Sequence, residues 1–224
     1  MTDYTLIRSK RRTLAIHIRD NAVEVRAPMR LNQSEIDQFV LSRQEWIDGK
    51  LMLLNAQAKR RESFSLHYGD FVAYRGRNYP IAADGKKRAR FDGGRFIVPD
   101  GMNSAEIKQA CVKIYRTLAK RDFTEKIDVY GKIMGAVPSS LRVTGAKTRW
   151  GSCSAKKSVN FSWRLIMACD EVINYVVVHE LAHLFQMNHS ARFWAVVEKV
   201  LPDYRERRAK LKELQRRLNE EDWD

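Results

Sequence analysis

Between Leu14 and Pro28 the chain alternates. Leu14, Ile16 and Ile18 are separated by Ala15 and His17, Asp20-Asn21 supplies a two-residue turn, and Val23 and Val25 carry the period-2 pattern back to Pro28. That pattern predicts a hairpin. The period then lengthens. Ile36, Phe39, Val40, Trp46, Ile47, Leu51 and Leu54 fall on one helical stripe, with Asn32 and Glu35 spaced as a capping box and Leu31 able to staple onto Ile36. From Gly69 to Asp100 the turn signals Arg75-Gly76, Asp84-Gly85 and Asp92-Gly93-Gly94 separate short strands at 71–75, 79–82, 89–91 and 95–98.

A second helix begins near Asn103, with Glu106 again at the capping-box position. Its stripe of Ile107, Cys111, Ile114, Leu118, Phe123, Ile127 and Tyr130 runs to Gly131. Beyond Pro138 come a strand at 141–143, a polar loop at 144–157 and an alternating strand at 159–165. Asp170 opens an apolar helix over 172–187, Ser190 caps another, and Pro202 starts the last, whose buried face is Leu211, Leu214 and Leu218. The expected class is α+β: a strand-rich region with one long helix over residues 1–100, then a compact catalytic unit over 101–224, unless the two form one integrated domain.

Composition narrows the class. No apolar run approaches the roughly 18–20 residues that span a bilayer, so no membrane helix is expected. The start, Met-Thr-Asp-Tyr, lacks the apolar stretch of a signal peptide, and His17, Arg19 and Asp20 interrupt the segment after Arg11-Arg12 where a twin-arginine signal would be apolar. The three cysteines, Cys111, Cys153 and Cys169, are too few for a disulfide framework and suit a reducing compartment, so a cytoplasmic protein is expected. A formal charge of +14 favours polyanionic partners. The basic runs at 8–12, 86–95 and 199–217 read by default as solvated faces; a nucleic-acid partner is compatible with them, although they lack interleaved aromatics for stacking bases.

The chemistry lies in His179-Glu180-Leu181-Ala182-His183. Histidines at i and i+4 share a helix face and can meet one ion, while Glu180, about 100° further round, can reach a water beside it. His189 follows six residues after His183, the spacing of a three-histidine site, but Gln186 stands where that pattern has glycine, so Asn188 is expected to make the turn. Glu198 is the competing third ligand. Three neutral imidazoles suit zinc and leave one position for water, and the chemistry is then hydrolysis of an amide or of a phosphoanhydride. Asp170 and Glu198 are candidate partners for the ligand imidazoles. Lys147 and Arg149 could hold a carboxylate, a phosphate or a transition-state oxyanion; the other reading of that loop is structural, with Trp150 packed into the core.

Lys147-Thr148-Arg149-Trp150-Gly151-Ser152-Cys153-Ser154, the segment YVVVHELAH at 175–183 and Asn188-His189-Ser190-Ala191-Arg192-Phe193-Trp194 together resemble the YgjP-like family of metal-dependent hydrolases. That family is similar to SprT-like and WLM-type metallopeptidases. The resemblance implies a zincin-like catalytic unit with His179, His183 and His189 on Zn2+ and Glu180 as catalytic base, cleaving peptide bonds. It also admits a nucleotide pyrophosphatase converting UTP to UMP and diphosphate, and, through WLM-type relatives, a DNA-linked protease or nucleic-acid module. Arg149 is expected near the reacting groups, with Lys147, Arg149 and Trp150 contacting the peptide or nucleotide. Cys169 departs from the proline usual before the metal helix.

Overall fold

The computed structural model describes residues 2–19 and 21–223. They divide into two compact units, one running to residue 64 and including 219–221, the other comprising 65–218 and the residues from 222.

In the first unit, β3 (Ala22–Pro28) is the middle strand. It pairs antiparallel with β2 (Ala15–Arg19) and parallel with β1 (Thr5–Ser9). Asp20 of the expected turn lies outside the described residues; Asn21 has the left-handed backbone, φ 60°, that such a turn requires. Val23, Val25 and Ala27 face inward and pack with Ile36, Val40 and Ile47. β1 escapes the pattern because Leu6 and Ile7 are adjacent apolar residues of which Ile7 faces out.

The single helix expected here is two, α1 (Gln33–Leu41) and α2 (Gln44–Glu62). Asn32 and Glu35 do form the capping box. Ile47, eleven residues after Ile36 and so on nearly the same helical azimuth, reaches the core, whereas its neighbour Trp46, about 100° away, is 52% exposed.

The second unit opens with a four-stranded sheet of β4 (Phe71–Tyr74), β5 (Arg77–Ala82), β6 (Arg90–Phe91) and β7 (Phe96–Ile97), in the order β4-β5-β7-β6. α3 (Ser104–Met134) follows, capped by Asn103 with Glu106 and stopped at Gly135, which is left-handed with φ 65°. A three-stranded sheet comes next, with β10 (Ser158–Ser162) between β8 (Ser140–Thr144), parallel to it, and β9 (Gly151–Cys153), antiparallel. Then come α4 (Asp170–Ala182), α5 (Ala191–Val200) and α6 (Tyr204–Leu218). The chain is therefore α+β.

Two differences from the sequence pattern matter for the site. β10 stops at Ser162, and Trp163–Met167 is a buried 3-10 turn in place of the strand's continuation. The polar loop contains β9, whose three residues carry no apolar alternation to betray it. β9 is thus the edge of this sheet that lies by α4, while β10 is paired on both sides.

The β4–β5 hairpin fixes the start of α4. Arg75 and Gly76 both have positive φ, 49° and 74°, at its tip. The Arg75 amide donates to the Ile166 carbonyl at 2.9 Å, and a Cβ on Gly76 would meet Cys169 Cβ at 2.8 Å. The Arg75 guanidinium forks onto Asp170 at 2.9 and 2.6 Å. Glycine is needed there for both backbone angle and space.

Candidate metal centre

α4 is apolar nearly all round and correspondingly buried, with Val172, Ile173, Val176, Val177 and Leu181 at 2–3% exposure or less. Its last turns carry His179 and Glu180, and His183 is its C-cap. The helix ends five residues before the expected Met187. The amides of Phe185 and Gln186 donate to the Ala182 carbonyl at 3.1 Å each, and His183 Nδ1 lies 3.1 Å from the Gln186 carbonyl oxygen. This turn reverses the chain without a left-handed residue, so Asn188 has no such role; the described non-glycine residues with positive φ are Asn21, Arg75 and Lys157. Ser190 then leads into α5.

The reversal brings His189 back over α4. His179, His183 and His189 each offer a ring nitrogen within 4.8 Å of the others, and the Nε2 atoms of His179 and His189 are 3.0 Å apart. Phe193, fully buried on α5, is the floor beneath them, its ring centroid 4.8, 4.6 and 4.8 Å from His179, His183 and His189. Trp194 stacks on His189 at 5.8 Å and on Tyr204 at 5.1 Å.

The electrostatics suit a cation. Burial, followed by the nearness of His183, His189 and Arg208, pushes the His179 imidazole down to about 3. Burial also lowers His183. Both rings are therefore neutral near pH 7 and present lone pairs. A His183 Nδ1–H donating to Gln186 leaves its Nε2 as the ligating atom. Three imidazoles crowded together without a carboxylate among them match zinc's nitrogen-rich tetrahedral sites, and the donor set fits that metal.

Glu180 is 5% exposed, its Oε2 is buried without a hydrogen-bond partner, and burial pushes its carboxyl up to about 8 against the opposing pull of Arg149. Nothing in the residue spacing announces that Gly151 lies against it. A Cβ on Gly151 would lie 2.6 Å from both Glu180 Cγ and Oε1, so the β9 backbone rests directly on this carboxylate. Cys153, two residues on, has its thiol raised by burial and by Glu180, which opposes thiolate formation.

The remaining candidates are spread around this group. Arg149 is exposed and acts electrostatically on Glu180. Lys147 is exposed, and Trp150 is half-buried with its carbonyl accepting from the Ser162 amide at 2.8 Å. Glu198 is paired with Arg205 at 2.8 Å and is not in the histidine group. Asp170 lies at the other end of α4, held by Arg75 and by Lys126 at 3.1 Å, so neither acid orients a ligand imidazole; His179 Nδ1 is buried with no partner among the described residues. No helix among the described residues is long and apolar enough to cross a membrane.

Comparison with known proteins gives one broad match: a family model described as a YgjP-like metallopeptidase domain covers residues 12–214. Among solved structures, the metallopeptidase zymogen of Pyrococcus abyssi abylysin is similar to 45% of this chain, over 98% of its own length, at 24% identity and a TM-score of 0.39. No curated protein matches the chain.

Proposed function

The chain belongs to the YgjP-like family of metallopeptidase domains, and from that premise we propose that it is a zinc-dependent peptidase acting on extended peptide segments. His179, His183 and His189 would hold the zinc, and the observation that carries this reading is the approach of their three nitrogens to within 4.8 Å beside the partnerless Oε2 of Glu180. When bound, zinc supplies a Lewis acid that polarises the scissile carbonyl and brings the pKa of water towards 7.

The other parts of the reaction belong to the chain's own residues. Glu180 accepts the proton of the attacking water and delivers it to the departing amine nitrogen. Its burial and elevated pKa suit a group that must both take and give a proton near neutrality. Gly151 presses on the Oε1 side of the carboxylate, which leaves the partnerless Oε2 for that exchange. His183 is held in one tautomer by Gln186, and Phe193 keeps the three rings together from below. Arg149, whose charge is felt at Glu180, faces the substrate beside the reacting groups, and Lys147 and Trp150 flank it on the same loop.

β9 offers a seat for the substrate. It is an edge strand directly against Glu180, and an extended peptide added to it would lie across the catalytic carboxylate. β10 offers no such seat, since it is paired on both sides.

The test is hydrolysis of a mixed peptide pool by zinc-loaded protein, followed by mass spectrometry. Cleavage that disappears with a chelator, returns with zinc and is abolished in Glu180→Gln supports the reading. Diphosphate release from UTP in place of peptide cleavage, with the same dependence on zinc and Glu180, would move the centre to nucleotide chemistry.

A further inference from the structure

β8, β9 and β10 present a polar face as well as a buried one. Thr144, Ser152, Asn160 and Ser162 lie on it and, with Ala146, Gly151 and Arg149, line a cavity of about 150 Å³. The cavity adjoins the reacting groups, because its wall includes the glycine that rests on Glu180. Its polar groups are held in place: Asn160 Nδ2 donates to Ser152 Oγ at 3.2 Å, and Ser162 Oγ donates to the Ala146 carbonyl at 2.7 Å. None of the lining residues is acidic, and Arg149 is the one ionised group among them. Its guanidinium makes no hydrogen bond or ion pair among the described residues, although its field reaches Glu180.

We propose that this cavity is a subsite for a carboxylate of the substrate, with Arg149 as its specificity-determining residue. The inference deepens the peptidase reading and rests on it. One guanidinium presents a planar fork of N–H donors that matches a single carboxylate. For the remaining carboxylate lone pairs the cavity offers the second Asn160 N–H and the Ser152 hydroxyl, neutral donors that position without adding charge, the Ser162 proton being committed to the Ala146 carbonyl. A charge of +1 balances one carboxylate and leaves a polyphosphate uncompensated. The volume suits a short acidic side chain or a chain terminus.

The carboxylate has two sources, an Asp or Glu side chain near the scissile bond or the C-terminus of the peptide. A peptide series with Glu, Gln or Lys at each position around the scissile bond, each with a free and an amidated C-terminus, separates them. Hydrolysis is measured on zinc-loaded wild type, and equilibrium binding on Glu180→Gln by fluorescence anisotropy. Carboxylate-bearing peptides are expected to be favoured about 10-fold, in KM and in Kd more than in kcat. The preference should vanish in Arg149→Gln and turn towards Lys in Arg149→Glu. Asn160→Asp, which places a like charge inside the cavity, should abolish it independently of Arg149. Preference following the side chain identifies an internal acidic residue, and preference following the free terminus identifies the chain end. Equal binding and equal hydrolysis of Glu, Gln and Lys peptides, with free or amidated ends, would overturn the subsite. Selective binding without any hydrolysis would retain the subsite and overturn the peptidase reading beneath it.

Discussion

The α-carbon of Gly151 and the carboxylate of Glu180 share one wall: a Cβ at 151 would sit 2.6 Å from Oε1. Real Cβ atoms do not approach oxygen so closely, so any side chain at 151 must displace either β9 or the carboxylate. Glu180 is fixed by a helix buried on nearly all sides, and β9 is fixed by its pairing with β10.

Gly151→Ala should therefore leave the fold and the zinc content intact and lower kcat by about 100-fold, the scale of a misplacement of about 1 Å in a catalytic group. The cost in stability should be about 1–3 kcal/mol, as for overpacking elsewhere in cores. Retained activity in a variant of unchanged metal content would separate Gly151 from the positioning of Glu180.

Metal-free protein should show the raised carboxyl of Glu180 in its stability. The folded value of about 8 lies above the ordinary 4.5, so between these the folded state binds the extra proton. The sign follows from linkage: the contribution is fully present below pH 4.5 and is lost as pH rises through 8. His179, lowered from 6.5 to about 3, acts oppositely, and its contribution is lost as pH falls through that window. Glu180→Gln removes only the first effect. Urea titrations at pH 5 to 9 should thus find the variant gaining on wild type as pH rises, by an amount on the order of 3–5 kcal/mol at the upper end. A pH-independent difference would remove the protonated carboxyl from the account.

Much of this architecture is legible before any coordinates. The helix caps at Asn32 and Asn103 are local, written in residues three apart, and they form as the spacing predicts. The spacing of His179, His183 and Glu180 is equally local, since one helix carries all three. What escapes is set by distant partners. The stripe from Ile36 to Leu54 is carried by two helices because the chain breaks at Ser42-Arg43, and nothing in those two residues announces a break. β9 is a strand only because β10 lies beside it, and Gly151 reads as a loop glycine until Glu180 is placed against it. The turn expected of Asn188 is made instead by the hydrogen bonds of Phe185 and Gln186 onto Ala182.

The third ligand can be tested against its rival. His189 shares the group with His179 and His183, whereas the Glu198 carboxylate is engaged by Arg205. Zinc at about 100 times Kd should stabilise wild type by about 2.7 kcal/mol. That thermal shift should be largely lost in His183→Ala and His189→Ala and kept in Glu198→Gln, with metal content by atomic emission following the same order. Loss of zinc in Glu198→Gln with retention in His189→Ala would exchange the two assignments.

The hairpin that anchors α4 makes a separate prediction. Asp122 of α3 is 2% exposed, and accepts from the Tyr74 hydroxyl at 2.7 Å and from Arg121 Nε at 2.8 Å, with Arg75 at 4.0 Å. Burial and the neighbouring carboxylate push the Tyr74 hydroxyl up to about 12, so it remains a donor throughout the working range. Both arginines are substantially exposed and water can replace their lost partner, but the buried Tyr74 hydroxyl, which accepts from Arg121 Nη2 at 2.9 Å, depends on Asp122 to accept its proton. Asp122→Ala should therefore cost about 2–3 kcal/mol, mostly through that orphaned hydroxyl. Asp122→Asn, which still presents an acceptor, should cost about 1 kcal/mol. In Tyr74→Phe the hydroxyl is already absent, and adding Asp122→Ala to it should cost clearly less than in wild type. The double-mutant cycle, read from urea midpoints at constant m-value, measures that coupling. Strict additivity would show that Asp122 serves the exposed arginines and not the Tyr74 hydroxyl.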